Sequence, residues 1–192
     1  MKIEPQTLTG RFVRLEPLEQ HHFPGLKSAC EADTDIWTLY PFPMTGVHFE
    51  TWAEAVEKRA ARGEALAYAV VKDGCVVGVS LFIGIDPANR NVEIGNTYYH
   101  PEVRGTAVNP ESKLLMLAHA FQSGARCVRF RVDALNTRSR AAVLKLGARQ
   151  DGILRRDRVT WTGRVRDTVV FSILDDEWPG VREKLEARLE AF

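Results

Sequence analysis

The stretch Glu93-Ile94-Gly95-Asn96-Thr97-Tyr98-Tyr99-His100-Pro101-Glu102-Val103-Arg104-Gly105-Thr106-Ala107-Val108-Asn109 holds the residues with the clearest capacity for chemistry. A strand ending at Pro101 runs through a short Arg/Gly loop into a helix, with Asn109 as the expected N-cap and Pro110 at its first position. Backbone N–H groups in such a loop converge on one spot, and the first helical turn adds four donors without internal partners. The helix dipole contributes ~0.3–1 kcal/mol toward an anion there, up to ~2 kcal/mol when partly buried, so phosphate is a natural ligand. Gly105 is not followed by Gly-Lys-Ser/Thr, and no G-x-G-x-x-G occurs, which disfavours a nucleoside triphosphate or a dinucleotide. A plain strand-to-helix turn fits the same residues equally well.

The elements that must position this segment follow from hydrophobic periodicity. Gly10 to Glu16 alternates as a strand, and helical patterns cover about Glu19–Ala32 and Phe49–Arg62, the second stopping at Gly63. Strands are expected over Leu66–Lys72 and Cys75–Ile83, joined by the hairpin signal Asp73-Gly74. Asn91–Tyr99 is a third strand in succession. Asn109–Gln122 is the clearest helix, with Leu114, Leu115, Leu117, Ala118 and Phe121 as its apolar face and Gly124 beyond its end. A strand at Cys127–Asp133, a helix at Asn136–Leu146 and strands at about Ala148–Arg156 and Arg166–Leu174 follow, then a C-terminal helix after Pro179. Three successive strands exclude a uniformly alternating doubly wound fold and predict a mixed α/β (α+β) sheet.

Composition narrows the classes further. The 192 residues carry 26 Lys and Arg against 25 Asp and Glu, a net charge of +1, which argues against a binder of bulk polyanions. A chain of this size buries roughly 70% of its unfolded surface and folds without metal or disulfides. Cys30, Cys75 and Cys127 are odd in number and far apart, so neither a zinc knuckle nor a disulfide framework is indicated. The start lacks a signal-peptide pattern, and the apolar run Ala65–Val71 is far short of the ~20 residues a membrane span needs. One domain over residues 1–192, in the cytoplasm and with no membrane partner, is the expectation.

The order and spacing of several pieces resemble the GNAT acetyltransferases, and within them the RimJ/RimL-like subgroup of ribosomal-protein N-terminal acetyltransferases. These pieces are Val13-Arg14-Leu15-Glu16-Pro17-Leu18, Val92-Glu93-Ile94-Gly95, the loop from Gly105-Thr106 to Asn109, Asn136-Thr137-Arg138-Ser139, Leu146-Gly147-Ala148, Asp151-Gly152-Ile153-Leu154-Arg155 and Glu177-Trp178-Pro179. The resemblance implies the GNAT fold: a mostly antiparallel sheet of six to seven strands, flanked by helices, whose central strands splay. It implies acetyl-CoA as co-substrate, no metal, and direct acetyl transfer to a primary amine without an acetyl-enzyme intermediate. The amine would be a protein or peptide N-terminus or a small molecule.

The implied site residues follow from the same resemblance. Arg104-Gly105-Thr106-Ala107-Val108-Asn109 occupies the family's pyrophosphate loop, Q/R-x-x-G-x-G/A, with Arg104 matching and Ala107 and Asn109 departing from it. Backbone at Thr97, Tyr98 and Tyr99 would face the pantetheine arm, and Asn136 would either bind its amide or cap a helix. A bulge near Gly95 would hold the thioester oxygen. Glu93 is the expected base, through water, with Asp157 as its rival. The family's acid tyrosine falls at Val143, leaving Ser139 to hydrogen-bond the departing sulfur or to help cap the helix. Trp37, Tyr40, Phe42 and Phe49 lie where the family builds its acceptor pocket. His21, His22 and His100 read as surface residues and His119 as packed and satisfied. Arg155, Arg156, Arg158, Arg164 and Arg166 crowd one hairpin and read as a solvated face. The rival function is a catalytically idle module docking RNA or ribosome through the 155–166 hairpin, although nucleic acid is not the expected partner. Pairing through strands or hairpins in this fold leaves a homodimer open.

Overall fold

The computed structural model describes residues 1–192. Its strands are β1 (Leu8–Thr9), β2 (Arg14–Pro17), β3 (Ala65–Lys72), β4 (Cys75–Asp86), β5 (Asn91–Tyr99), β6 (Cys127–Asp133), β7 (Arg149–Val159) and β8 (Val165–Leu174). Its helices are α1 (Phe23–Glu31), α2 (His48–Ala61), α3 (Val108–Gln122), α4 (Thr137–Lys145) and α5 (Trp178–Glu190). One sheet takes the order β1-β2-β3-β4-β5-β6-β8-β7, antiparallel throughout except between β5 and β6. The mixed α/β sheet is as expected, but eight strands stand where six to seven were predicted. The two residues of β1 are too few to show a period.

Alternation explains how the sheet is covered. Val128, Phe130 and Val132 of β6, with Val92 and Ile94 of β5, bury against Met116 and Leu117 of α3 and Leu185 of α5. On the opposite face Leu81 and Tyr98 pack against Leu26 of α1, Trp37, and Trp52 of α2. Each such side chain contributes roughly 1.5–3 kcal/mol by burial. The β3–β4 turn places Asp73 at φ 51° and Gly74 at φ 80°, the two positive values a two-residue hairpin with native twist requires.

Two expectations about α3 and its surroundings need correction. The helix starts at Val108, with Ala107 at the N-cap position and no side-chain cap, so Asn109 lies inside the first turn. Pro110 is tolerated there because first-turn N–H groups have no intrahelical acceptor. The buried face is also rotated: Met116, Leu117 and Ala120 are buried, whereas Leu114, Leu115, Ala118 and Phe121 are only partly covered. Polar Glu111, Ser112 and Lys113 occupy the buried face instead.

Glu111 shows why. Its carboxylate accepts the backbone N–H groups of Arg11, Phe12 and Val13, each at 2.7 Å. Those amides cannot serve a ladder, so the strand predicted over residues 10–16 begins only at Arg14. Gly10 lets the loop approach, since a Cβ there would lie 2.3 Å from the Glu111 carboxyl carbon. The carboxylate thus ties α3 to the N-terminal segment. Glu111→Ala strands three amides, and unmet partly buried donors cost ~1–3 kcal/mol each. Chemical denaturation should register a loss of about 3 kcal/mol or more; a loss within error would show that water replaces the carboxylate freely.

Candidate active site

The site begins where two strands stop pairing. The parallel ladder of β5 and β6 holds only at Asn91–Cys127, Val92–Val128 and Glu93–Arg129, after which the strands part. On the other side of β5 the register with β4 shifts between Val79 and Leu81, and Asn96 takes φ 47°. This bulge inverts the alternation: Glu93 and Gly95 face away from α3, whereas Thr97, two residues past Gly95, meets a side chain of α3. Gly95 is needed beside Glu93, because a Cβ there would sit 3.0 Å from Glu93 Oε1 and 2.8 Å from Ile83 Cδ1. A cleft of ≈ 540 Å³ occupies the gap, bounded by β5, β6, α4 and the loop before α3.

One end of the cleft suits an anion. Gly105 at φ 81° takes a turn that an L side chain would strain, which accounts for a glycine early in the loop. The N–H groups of Gly105, Thr106, Ala107 and Asn109 find no backbone acceptor, while that of Val108 donates to Thr106 Oγ1 at 3.3 Å. Arg104 is held by its Nε donating to the Tyr99 carbonyl at 2.9 Å, by an ion pair with Asp33, and by packing over the Tyr98 ring. Its Nη2 is buried with no partner, a donor fit for a phosphate oxygen. Asn136 caps α4, its Oδ1 accepting the Ser139 N–H at 3.0 Å. Ser139 and Val143 line the cleft, and no tyrosine comes from α4. Tyr40 instead enters from the segment before α2 and donates to the Thr97 carbonyl at 2.6 Å.

The other end is dominated by carboxylates and guanidiniums. Glu93 lies 3.4 Å from Arg131 Nε. Burial raises its carboxyl above the usual range, against the pull of Arg131, Arg158, Arg166 and Arg59. Asp157 differs: burial works to raise it, but hydrogen bonds from Thr168 and Arg158 and the nearby guanidiniums outweigh this and hold it low. The hairpin arginines are not one solvated face. Arg164 pairs with Asp133 at 2.5 Å, and buried Arg166 donates to Thr168 Oγ1 at 3.0 Å. Only Arg155 and Arg156 stand fully outside. Trp161 Nε1 donates to the Trp37 carbonyl at 2.8 Å, docking the hairpin tip on the segment before α2. Of the aromatics expected near an acceptor, Trp37 and Phe49 are core, Phe42 is exposed, and Tyr40 reaches the cleft.

The histidines divide unevenly. His119 is buried and engaged by the Glu4 carbonyl and Gln6, as expected. His22 is buried rather than superficial: its Nδ1 accepts the Glu19 N–H at 3.0 Å and its Nε2 meets Glu16 at 3.1 Å. Glu16, His21 and His22 approach one another, but both His22 nitrogens are already occupied. None of the cysteines lines the cleft, and burial pushes the Cys30 thiol up to about 12.

Lys113 of α3 is the residue that sequence reasoning missed. It is buried, lines the cleft, and donates to Ser80 Oγ at 2.8 Å and Thr97 Oγ1 at 2.7 Å. No carboxylate neutralises it, and burial alone lowers its pKa to about 7. The only available signal was an oddity: a lysine immediately before the apolar run Leu114–Leu117 of the helix.

A mixed sheet parted at its centre, with a helix start rich in free backbone donors in the gap, defines a class of acyltransferase folds, and the comparisons name the family. Residues 13–149 match the acetyltransferase (GNAT) domain, and the chain belongs to this family of N-acetyltransferases, whose members use acetyl-CoA. It is similar to a GCN5-related N-acetyltransferase from Brucella melitensis, 34% identical over 98% of this chain and 87% of that one, TM-score 0.90. RimJ of Mycobacterium smegmatis, solved with CoA-disulfide, shares the fold at 22% identity over 96% and 95% of the two chains, TM-score 0.84. So does the Salmonella typhimurium acetyltransferase that modifies the N-terminal serine of ribosomal protein L7/L12, at 16% identity over 88% and 99%, TM-score 0.79. No curated protein sequence matches the chain. No helix is long and apolar enough to cross a membrane.

Lys113 makes a prediction about stability. Its folded pKa, about 7, lies below the ordinary lysine value of 10.5, so the unfolded chain binds more protons between these values and stability rises with pH across that window. Below it the buried charge exacts its full cost. Lys113→Met leaves Ser80 and Thr97 bonded to each other at 2.7 Å. The variant should be more stable than the parent by a few kcal/mol below about pH 7, the gain fading toward about pH 10. A difference that does not change with pH in denaturant titrations would refute the buried-charge account.

Proposed function

We propose that the chain transfers the acetyl group of acetyl-CoA directly to a primary amine, with Glu93 taking the ammonium proton. The single observation that carries this is the half-buried Glu93 carboxyl, raised by burial, on the cleft wall beside the Asn96 bulge. Bound acetyl-CoA supplies the activated acyl group. The amides of Gly105, Thr106, Ala107 and Asn109, with Arg104 Nη2, hold its diphosphate at the positive end of α3. Backbone of Thr97 to Tyr99 and the Asn136 side chain flank its pantetheine arm.

The remaining work falls to this chain's own groups. An amine attacks only as the neutral base, so the ammonium must lose a proton, directly or through a water, to a carboxylate whose affinity for protons is not too low. Glu93 suits this better than Asp157, whose hydrogen bonds favour the ionised form and weaken it as a base. Backbone N–H at the bulge near Gly95 is placed for negative charge developing on the acyl oxygen. The Ser139 hydroxyl, free of the capping duty that Asn136 performs, donates toward the departing sulfur. Primary amines at protein or peptide N-termini are the favoured acceptors, in keeping with the RimJ and L7/L12-modifying relatives. The rival idle docking module gains little from the hairpin, since only Arg155 and Arg156 face solvent while Arg158 and Arg166 turn into the cleft and Arg164 pairs with Asp133.

Glu93→Gln should lower kcat on the order of 10²–10⁴-fold. It should also abolish the rise in rate with pH that the carboxyl sets, while calorimetric affinity for acetyl-CoA holds. An unchanged rate and pH profile sinks the base assignment. Ser139→Ala should lower kcat more than it weakens acetyl-CoA binding; the reverse pattern would assign Ser139 to binding.

A further inference from the structure

On the side of the sheet away from α3, Glu93 is ringed by cations. Arg129 and Arg131 of β6 alternate with the core residues and point to this face, as their pairing with the Glu93 position requires. Arg158 of β7, Arg166 of β8 and Arg59 of α2 complete the ring, and all five line the cleft. A local distortion builds part of it. Between Leu154 and Arg158 the register of β7 against β8 slips, and Arg156 takes φ 51° with its N–H donating to Asp167 at 2.7 Å. Such a bulge re-aims side chains, and here Arg158 turns into the cleft while Arg155 and Arg156 stay outside.

The internal anions do not balance these cations. Asp133 takes Arg164 at 2.5 Å, stands 3.8 Å from Arg166, and also accepts the Leu135 N–H. Asp157 is bound by its neighbour Arg158 and by Thr168. Glu93 has Arg131. Arg129 has only the neutral Asn91 amide oxygen at 3.3 Å, and Arg59 reaches no carboxylate closer than Glu64 at 4.0 Å. Five cleft guanidiniums (Arg59, Arg129, Arg131, Arg158 and Arg166) therefore face only two cleft carboxylates, Glu93 and Asp133, with Asp157 just outside the cleft holding Arg158 and Asp133 also holding Arg164, although the whole chain carries only +1. Burial, with the charges of Arg158 and Arg164, lowers the Arg166 pKa despite Asp133 and Asp157. Crowding of this kind costs free energy in the empty site and is relieved when an anion enters.

Resting on the reading of Glu93 as the base, we infer that the acceptor is a primary amine bearing a carboxylate or phosphate close to the amino group, gripped by Arg129, Arg158 and Arg166 while Glu93 faces the amine. The acetyl-CoA diphosphate does not answer this charge, because its loop lies at the α3 end of the cleft, served by Arg104 and Arg138. An anion among these arginines also counters the attraction between Glu93 and Arg131, leaving Glu93 freer to accept a proton.

Two matched acceptor series test this by initial rates with saturating acetyl-CoA. One compares N-terminal peptides with acidic, neutral or basic second and third residues; the other compares O-phosphoethanolamine with ethanolamine. The expected result is kcat/KM at least about tenfold higher for the acidic member of either series, with the advantage shrinking as salt rises. The series in which the preference appears separates a peptide from a small-molecule source. In Arg158→Gln the acidic-to-neutral ratio should shrink, a measure internal to each preparation and so insensitive to its folded fraction. Binding is read separately by titrating N-acetylated acidic and neutral peptides into the CoA-loaded protein, both parent and Glu93→Gln. Tighter binding of the acidic product to both upholds the inference even if Glu93 proves not to be the base. Equal affinities, or equal turnover across both series, overturn it and leave the assignment of Glu93 untouched.

Discussion

The parting of β5 from β6 after three paired residues is the constraint from which the rest of the structure follows. Two neighbouring strands that separate leave a row of backbone groups without partners in the middle of a sheet, where such groups are costly. Here the exposed carbonyls are met by side chains from elsewhere: Tyr40 bonds that of Thr97 and Arg104 that of Tyr99. The Asn96 bulge completes the arrangement by turning Thr97 toward α3 while Glu93 keeps to the other face. The cleft, the loop before α3 that bounds one end of it and the face carrying Glu93 are all consequences of this one opening.

Buried charge is handled in three distinct ways around it. Glu111 meets three backbone amides and so acts as a rivet between α3 and the N-terminal segment. Lys113 has only two hydroxyls, and its depressed pKa expresses that shortage. The arginines around Glu93 are partly neutralised and mutually repulsive, a state suited to receiving an anion rather than to packing for its own sake. The first is a stability device; the other two lie on the cleft and place strain where a ligand is expected.

Much of the scaffold was legible because it rests on local rules. The Asp73-Gly74 hairpin, the strands at 91–99 and 127–133, and the glycines closing helices at 63, 124 and 147 follow from turn chemistry and alternation within a few residues. The misses share a cause. Residues 10–13 alternate like a strand, yet the amides of Arg11, Phe12 and Val13 belong to a carboxylate about a hundred positions away. The buried face of α3 is polar where distant partners meet it, so a search for apolar residues rotated it wrongly. Lys113 was passed over for the same reason, since its hydroxyl partners come from β4 and β5. The hairpin arginines looked equivalent in the sequence, but a bulge sends some inward and leaves others in solvent.

The sequence by itself determined the order of elements, the family and the positions of Glu93, Ser139 and the 104–109 loop, because periodicity, caps and motif spacing act between neighbours. Only the tertiary structure decided which charges are buried, which are paired and which face one another. Those properties depend on desolvation and on distances between strands and helices far apart in the chain, and no local pattern encodes them. The charged Glu93 side of the cleft is therefore the part of this protein that had to be folded before it could be read.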